Sequence, residues 1–286
     1  MLNQSVYNPG FMDINTRYSA TATFRKQWLS YTDAPLTFNA NGHYNITRNH
    51  GVGMLAGTDK IDNITTTNIS ASYTYHAWLN SKVALGMGVK LGYEQRSIQN
   101  NYVYFAESDP TLNQLKTAGF NMGAGLSIQS RNFDFGFSLP YLFNNRMGNS
   151  STIYSTEATT FYSNIGYKMR FNDFFVLYPT ILVKGVSGAP ISMSFDGHFL
   201  YNQLFWFGGG YRSDNTVSLS CGVFLDEGLR IVYSYESAYF TPHKRMDSSH
   251  EITLNYARTI KEFPFSKRTY TTRKGGQFRK KIRVKR

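Results

Sequence analysis

From Arg17 to Arg258 the chain is a succession of segments in which aromatic or aliphatic residues alternate with polar or small ones. A period of two sends successive side chains to opposite sides of a strand, so the pattern predicts an all-β protein whose strands have two unlike faces. Between Arg17 and Trp28, Tyr18, Ala20, Ala22, Phe24 and Lys26 fall on one face and Ser19, Thr21, Thr23, Arg25 and Gln27 on the other. The first face is mostly apolar and the second is polar throughout. About fourteen segments follow this rule, among them Leu36 to Ile46, Thr65 to Trp78, Lys82 to Arg96, Thr117 to Gln129 and Ser249 to Arg258; twelve or sixteen strands also fit, because boundaries read from sequence drift by several residues.

The apolar positions are rich in Tyr and Phe, yet no continuous apolar run reaches the roughly 18 residues of a membrane helix. A helical membrane protein is excluded. At 16% aromatic residues the chain is also too aromatic for a disordered one. Strands that point apolar residues outward and polar residues inward, with aromatic girdles near their ends, satisfy both observations as a transmembrane antiparallel β-barrel, which leaves no unpaired backbone edge in lipid. Link lengths give an independent check. The even-to-odd links, such as Thr47 to His50, Leu79 to Ser81 and Asn202 to Gln203, are short, whereas Gln95 to Lys116, Pro140 to Thr156 and Glu236 to Ser248 are long. Bacterial outer-membrane barrels have short periplasmic turns and longer outer loops, so both termini are expected in the periplasm. The expected organisation is an N-terminal segment 1–16, a barrel 17–258 and a basic tail 259–286.

Charge is concentrated in that tail. From Thr259 to Arg286 there are 11 Lys and Arg against the single acid Glu262, which is +10 of the chain's +12. Lys267, Arg268, Arg273, Lys274, Arg279, Lys280, Lys281, Arg283, Lys285 and Arg286 form a segment expected to be extended by self-repulsion and to seek an anionic surface. A barrel disfavours nucleic acid as that surface. A periplasmic protein, anionic lipid or the cell-wall layer remains, as does a merely solvated tail.

Short motifs then point to a family. Val6-Tyr7-Asn8-Pro9, Arg25-Lys26-Gln27-Trp28, Ala34-Pro35-Leu36-Thr37-Phe38 and Asn49-His50-Gly51-Val52-Gly53 occur in order in the first part of the chain. Gly188-Ala189-Pro190, Phe205-Trp206 with Gly210-Tyr211-Arg212, Tyr233-Ser234-Tyr235 and Ser249-His250-Glu251-Ile252 continue the series. Together, from about Leu2 to Tyr256, they resemble the PorP/SprF family, outer-membrane proteins of the type IX secretion system of Bacteroidetes. The resemblance implies a non-enzymatic barrel that serves secretion, gliding motility or surface display. Its implied partners are outer-membrane lipid, periplasmic ring lipoproteins and a secreted cargo with a type B C-terminal sorting domain, with the long loops or the lumen as the cargo's docking surface. Members of the family carry a signal peptide, so the numbering is expected to start in a processed chain. The basic tail lies beyond the shared pattern.

Each motif also has a structural explanation. Asn8-Pro9 fits a turn, Gly51 and Gly53 a tight entry into the third strand, and Gly188-Ala189-Pro190 a turn at a strand mouth. Gly208, Gly209 and Gly210 suggest a bend or close packing against lumen side chains. Trp28, Trp78 and Trp206 read as interfacial girdle residues or lumen packing, and Cys221, the lone cysteine, as a small buried side chain. Asn45, Asn63, Asn68 and Asn149 match the short glycosylation acceptor pattern, which is frequent by chance in an Asn-rich chain. A catalytic site would need a nucleophile with a positioned base, and the nearest grouping, His250-Glu251 beside Ser248 and Ser249, falls on opposite faces of a strand. No cofactor, metal or catalytic residue is therefore expected. The alternative function from another class is a diffusion porin or small-solute transporter.

Overall fold

The computed structural model describes residues 3–29, 33–98, 115–142, 146–149, 152–156, 158–172, 174–202, 204–225, 228–238, 248–259, 270–274 and 277–281. Fourteen antiparallel strands form a closed barrel. In chain order they are β1 (Thr16–Lys26), β2 (Leu36–Asn45), β3 (His50–Ile61), β4 (Ile64–Trp78), β5 (Val83–Ile98), β6 (Leu115–Ser130) and β7 (Phe133–Leu139). The second half comprises β8 (Thr160–Tyr167), β9 (Phe175–Val186), β10 (Ser192–Tyr201), β11 (Phe205–Arg212), β12 (Thr216–Leu225), β13 (Leu229–Ala238) and β14 (Ser249–Thr259). Each pairs with its neighbour in sequence, and β1 closes the ring on β14 with Ser19 opposite Ala257 and Lys26 opposite His250. Closure pairs every barrel strand on both sides, which is what a sheet in hydrocarbon requires. One extra strand of two residues, Met169–Arg170, adds to β9 at the rim.

The wall is polar inside and apolar outside. Phe120 is 79% exposed and Met54 68%, whereas Thr74 and Ser127 are at 0% and 1%. In water this inversion would leave a large sticky surface, while in a bilayer it matches each face to its solvent. The two-residue alternation read in β1 holds, with Phe24 exposed on the outer face and Thr21 buried on the inner one. Cross-strand partners repeat the pattern, as where Phe24 stands opposite Phe38 on one side and Ile252 on the other.

The rim that carries both ends of the barrel, here the near rim, has only short links, 46–49, 79–82, 131–132, 168–174, 202–204 and 226–228. The far rim has the three longest, 99–114, 140–159 and 239–248. The expected alternation of link lengths is thus present in part: on the far rim 62–63 and 213–215 are tight turns, and 187–191 is shorter than 168–174 on the near rim. Asp62 and Asn215 take positive φ there, 53° and 65°, a conformation that short polar side chains tolerate. Gly188, with φ 83°, turns the link before Pro190 as expected.

Cys221 corrects its sequence reading. It lies on the outer face of β12, in line with Leu219, and is exposed rather than buried. The alternation of β12 assigns it outward, and a small thiol is tolerated among lipid-facing side chains. Two small hairpins stand apart from the barrel sheet, Arg146–Asn149 with Thr152–Thr156 and Tyr270–Lys274 with Gln277–Lys281. The second pairs Arg273 with Phe278 and Thr271 with Lys280, so this stretch of the basic tail is a hairpin and not a simple extended run. Lys267, Arg268, Arg283, Lys285 and Arg286 lie outside the described residues.

Candidate functional site in the barrel lumen

The segment before β1 does not hang from the rim but folds back into the barrel. Its local shape follows from its residues. Gln4–Val6 form one 3-10 turn, closed by the Tyr7 N–H donating to the Gln4 carbonyl, which also accepts from the Asn8 N–H at 3.0 Å. Pro9 then presets φ for a second turn, in which the Phe11 N–H donates to the Asn8 carbonyl and the Gly10 N–H to Asn8 Oδ1 at 2.9 Å. The turn expected at Asn8-Pro9 is present, and it is buried. Asn8 is 0% exposed and Met12 1%.

The inner wall meets the backbone of this segment with side-chain donors. Thr74 Oγ1 donates to the Pro9 carbonyl, Ser127 Oγ to that of Gly10 at 2.7 Å, and Gln129 Nε2 to that of Met12 at 3.0 Å. Asn45 Nδ2 reaches the carbonyls of Asp13 and Thr16, while Asn8 Nδ2 donates outward to the Leu126 carbonyl at 3.0 Å. At the other end of the segment Gln4 Nε2 donates to Asp134 Oδ2, Asn3 and Asn41 pair through their amides, and Tyr7 stacks on Tyr162 with ring centroids 5.1 Å apart. Carbonyls buried in a lumen need such partners.

Space for the segment is made by glycines. Gly88 and Gly125 are cross-strand partners on the inner face, and Gly86 stands opposite Ser127. A Cβ on Gly88 would collide with the backbone of Pro9 and Gly10, one on Gly86 with the Gly10 carbonyl, and one on Gly125 with Asn8. Gly51 and Gly53 belong to the same floor. Both lie within β3, and a Cβ on either would come within 3 Å of Met12. Their role is therefore to seat Met12 and not to tighten a turn into the strand. Asn8→Ala is expected to lower barrel stability by about 1–2 kcal/mol through loss of buried hydrogen bonds, measurable as a shift of the urea midpoint at unchanged slope.

Beside the segment a polar cavity of about 210 Å³ remains, lined by Phe11, Asp13, Tyr178, Trp206, Arg230 and Asn255. Trp206 is lumen packing, 9% exposed and 4.8 Å between centroids from His198. Close packing also explains Gly208 and Gly210, whose Cβ atoms would meet His198 and Asp196. At the far rim the inner wall carries a chain of charges. Arg25 pairs with Glu236 at 2.6 Å and Glu251 at 3.6 Å, and Arg212 bridges Glu236 and Asp214 at 3.6 and 2.9 Å.

The remaining residues of the sequence motifs are dispersed. His50, near the near rim, sits on the outer wall against Tyr73 and Tyr75, and His250, near the far rim, against Tyr233 and Tyr235. Both are interfacial positions where a ring with a polar edge fits. Glu251 points inward to Arg25 while His250 points outward, so the two are separated by the wall. Trp28 is exposed just beyond β1, Trp78 packs under the Arg48 guanidinium 3.8 Å from its ring, and Pro35 accepts from the Gln27 N–H at 2.9 Å. Asn45 is buried at 1%, which leaves it no access for a glycan. Among the described residues no three His, Cys, Asp or Glu are grouped to hold a metal.

The residues that the motifs missed are Thr74, Ser127, Gln129, Gly86, Gly88 and Gly125. A signal was present, since glycines spaced by two within strand-like runs, at 86 and 88 and at 123 and 125, mark a hollow on one face.

A closed fourteen-strand wall, apolar outside and filled in part by its own N-terminal segment, defines an outer-membrane β-barrel. Comparison with solved structures gives the same fold at low identity. An outer-membrane protein of Acinetobacter baumannii, Omp33, is 5% identical with a TM-score of 0.50, covering 86% of this chain and 100% of that one. A FadL homologue of Pseudomonas aeruginosa is 10% identical at TM-score 0.52, covering 87% and 92%, and the Pseudomonas putida toluene transporter TodX is 11% identical at 0.51, covering 90% and 93%. No curated protein matches the sequence. The chain belongs to the PorP/SprF family of type IX secretion system membrane proteins, which it matches over residues 1–256.

Proposed function

We propose that this barrel binds and anchors a secreted cargo protein at the cell surface, through the C-terminal sorting domain of that cargo, and contacts periplasmic ring lipoproteins of the same machine from its near rim. Family membership supports a role in type IX secretion. The observation that carries the anchoring role over the porin is the lumen, where residues 3–15 occupy the space through which a solute would pass. Cargo docking is assigned to the far rim, which carries the links 99–114, 140–159 and 239–248. In this reading both termini are periplasmic, and the basic tail, +10 from Thr259 on, meets an acidic periplasmic partner.

The test is affinity purification of the tagged barrel from detergent-solubilised outer membranes, with and without residues 260–286. Recovery of a large secreted protein through its C-terminal domain supports anchoring. Deletion of the tail is expected to leave the barrel inserted and to reduce the periplasmic proteins recovered at low salt, with the difference between the two barrels shrinking at high salt, since exposed charges are screened. Recovery of the barrel alone under mild conditions would favour a transporter. Orientation is checked separately, in a Cys221→Ser background. A cysteine placed at residue 107 is expected to react with a membrane-impermeant maleimide on intact cells, whereas one at residue 284 is expected not to.

A further inference from the structure

We propose that residues 3–15 are a releasable plug, and that the barrel emptied of them conducts ions and small hydrophilic solutes. The segment joins the wall at Thr16, and within the lumen it is held by hydrogen bonds, an aromatic stack and the seating of Met12. Each such bond contributes little net, because both partners can exchange it for water once the lumen floods. The wall behind the segment would hold water. The wall residues that meet the segment include Gly51, Gly53, Gly86, Gly88, Gly125, Thr74 and Ser127, which leave glycine backbone and hydroxyls facing the vacated space. Eight strands enclose only enough space for their own side chains and sixteen leave an aqueous channel, so fourteen strands floored by glycine lie close to the open case. The polar cavity of about 210 Å³ already beside the segment would merge with the vacated volume.

The glycine floor supplies a way to expel the plug without cutting the chain. Gly88→Ala places a methyl group onto the Pro9 and Gly10 backbone. Gly92→Ala, two inward positions along the same strand, has Ser70 and the Ile69 and Asn121 carbonyls as its nearest neighbours, none closer than 3.3 Å, and serves as the control. Purified barrels are compared in planar bilayers as wild type, Gly88→Ala, Gly92→Ala and a deletion of residues 3–12, with folding followed by heat-modifiable gel mobility. Gly88→Ala and the deletion are expected to raise single-channel conductance by about an order of magnitude or more over wild type and Gly92→Ala. In a Cys221→Ser background, a cysteine at residue 12, which is 1% exposed and meets Gln129 through its backbone carbonyl, is expected to resist maleimide in the otherwise wild-type barrel and to react when Gly88→Ala is added. A folded Gly88→Ala barrel that stays closed and keeps residue 12 protected would overturn the proposal. So would a wild-type barrel as conductive as the deletion. Should the deletion fail to fold, Gly88→Ala decides alone.

Discussion

Leu254→Arg is expected to destabilise the barrel by about 2–4 kcal/mol, the cost of a guanidinium on the lipid face near the bilayer midplane. Leu254 lies midway along β14, is 45% exposed, and stands between Ala22 and Ile231 on the outer wall. The same face accepts charge at its ends, where Arg258 and, across the seam, Lys26 reach the two rims. Side chains there can extend to the headgroups, whereas one at residue 254 must drag water inward. Urea titration of the barrel folded into phospholipid vesicles measures the difference. An unchanged midpoint for Leu254→Arg would mean that β1, β13 and β14 do not face lipid, and the seam would then have to be covered by another protein.

The second large effect is expected at the far rim. Arg25→Ala removes the cation that lies against Glu236 and Glu251, two carboxylates on neighbouring strands. The side chains are about one-fifth to one-third exposed, so the cost falls between that of a surface pair and that of a buried one, about 1–3 kcal/mol. Arg212 stays beside Glu236 at 3.6 Å and compensates in part. Glu251→Gln in the Arg25→Ala background is therefore expected to recover stability, because it removes the carboxylate that is left without a cation. The double-mutant cycle in urea reports the coupling, and additive effects would show that the pair adds nothing to closure of the barrel.

These two sites differ in how far the sequence discloses them. Leu254 can be placed on the lipid face from alternation alone, since Ile252, Leu254 and Tyr256 repeat at intervals of two and a strand has no other way to arrange them. Arg25 is equally legible as inward-facing. Its partners are not, because Glu236 and Glu251 lie more than 200 residues away and meet it only when β14 closes the ring. His250 and Glu251 show the same division: their opposite faces follow from adjacency, but their contacts with Tyr233 and Arg25 follow from register.

By itself the sequence determined the fold class, the two unlike faces of β1 and the opposite facing of His250 and Glu251, the placing of both barrel ends at one rim and the family, since these depend on local period, link length and ordered motifs. It misled at Cys221, where a strand-like run was read as burial, and at Gly51 and Gly53, where a glycine's freedom was invoked in place of its small size. Only the tertiary structure decided the path of residues 3–15. That segment has no periodicity to declare its surroundings, and its receptor is assembled from β2 to β8, whose glycines and hydroxyls become one surface only through the register that sets Gly88 against Gly125 and Ser127 against Gly86 and Gly136. A hollow is a property of several strands at once, whereas alternation is written within each.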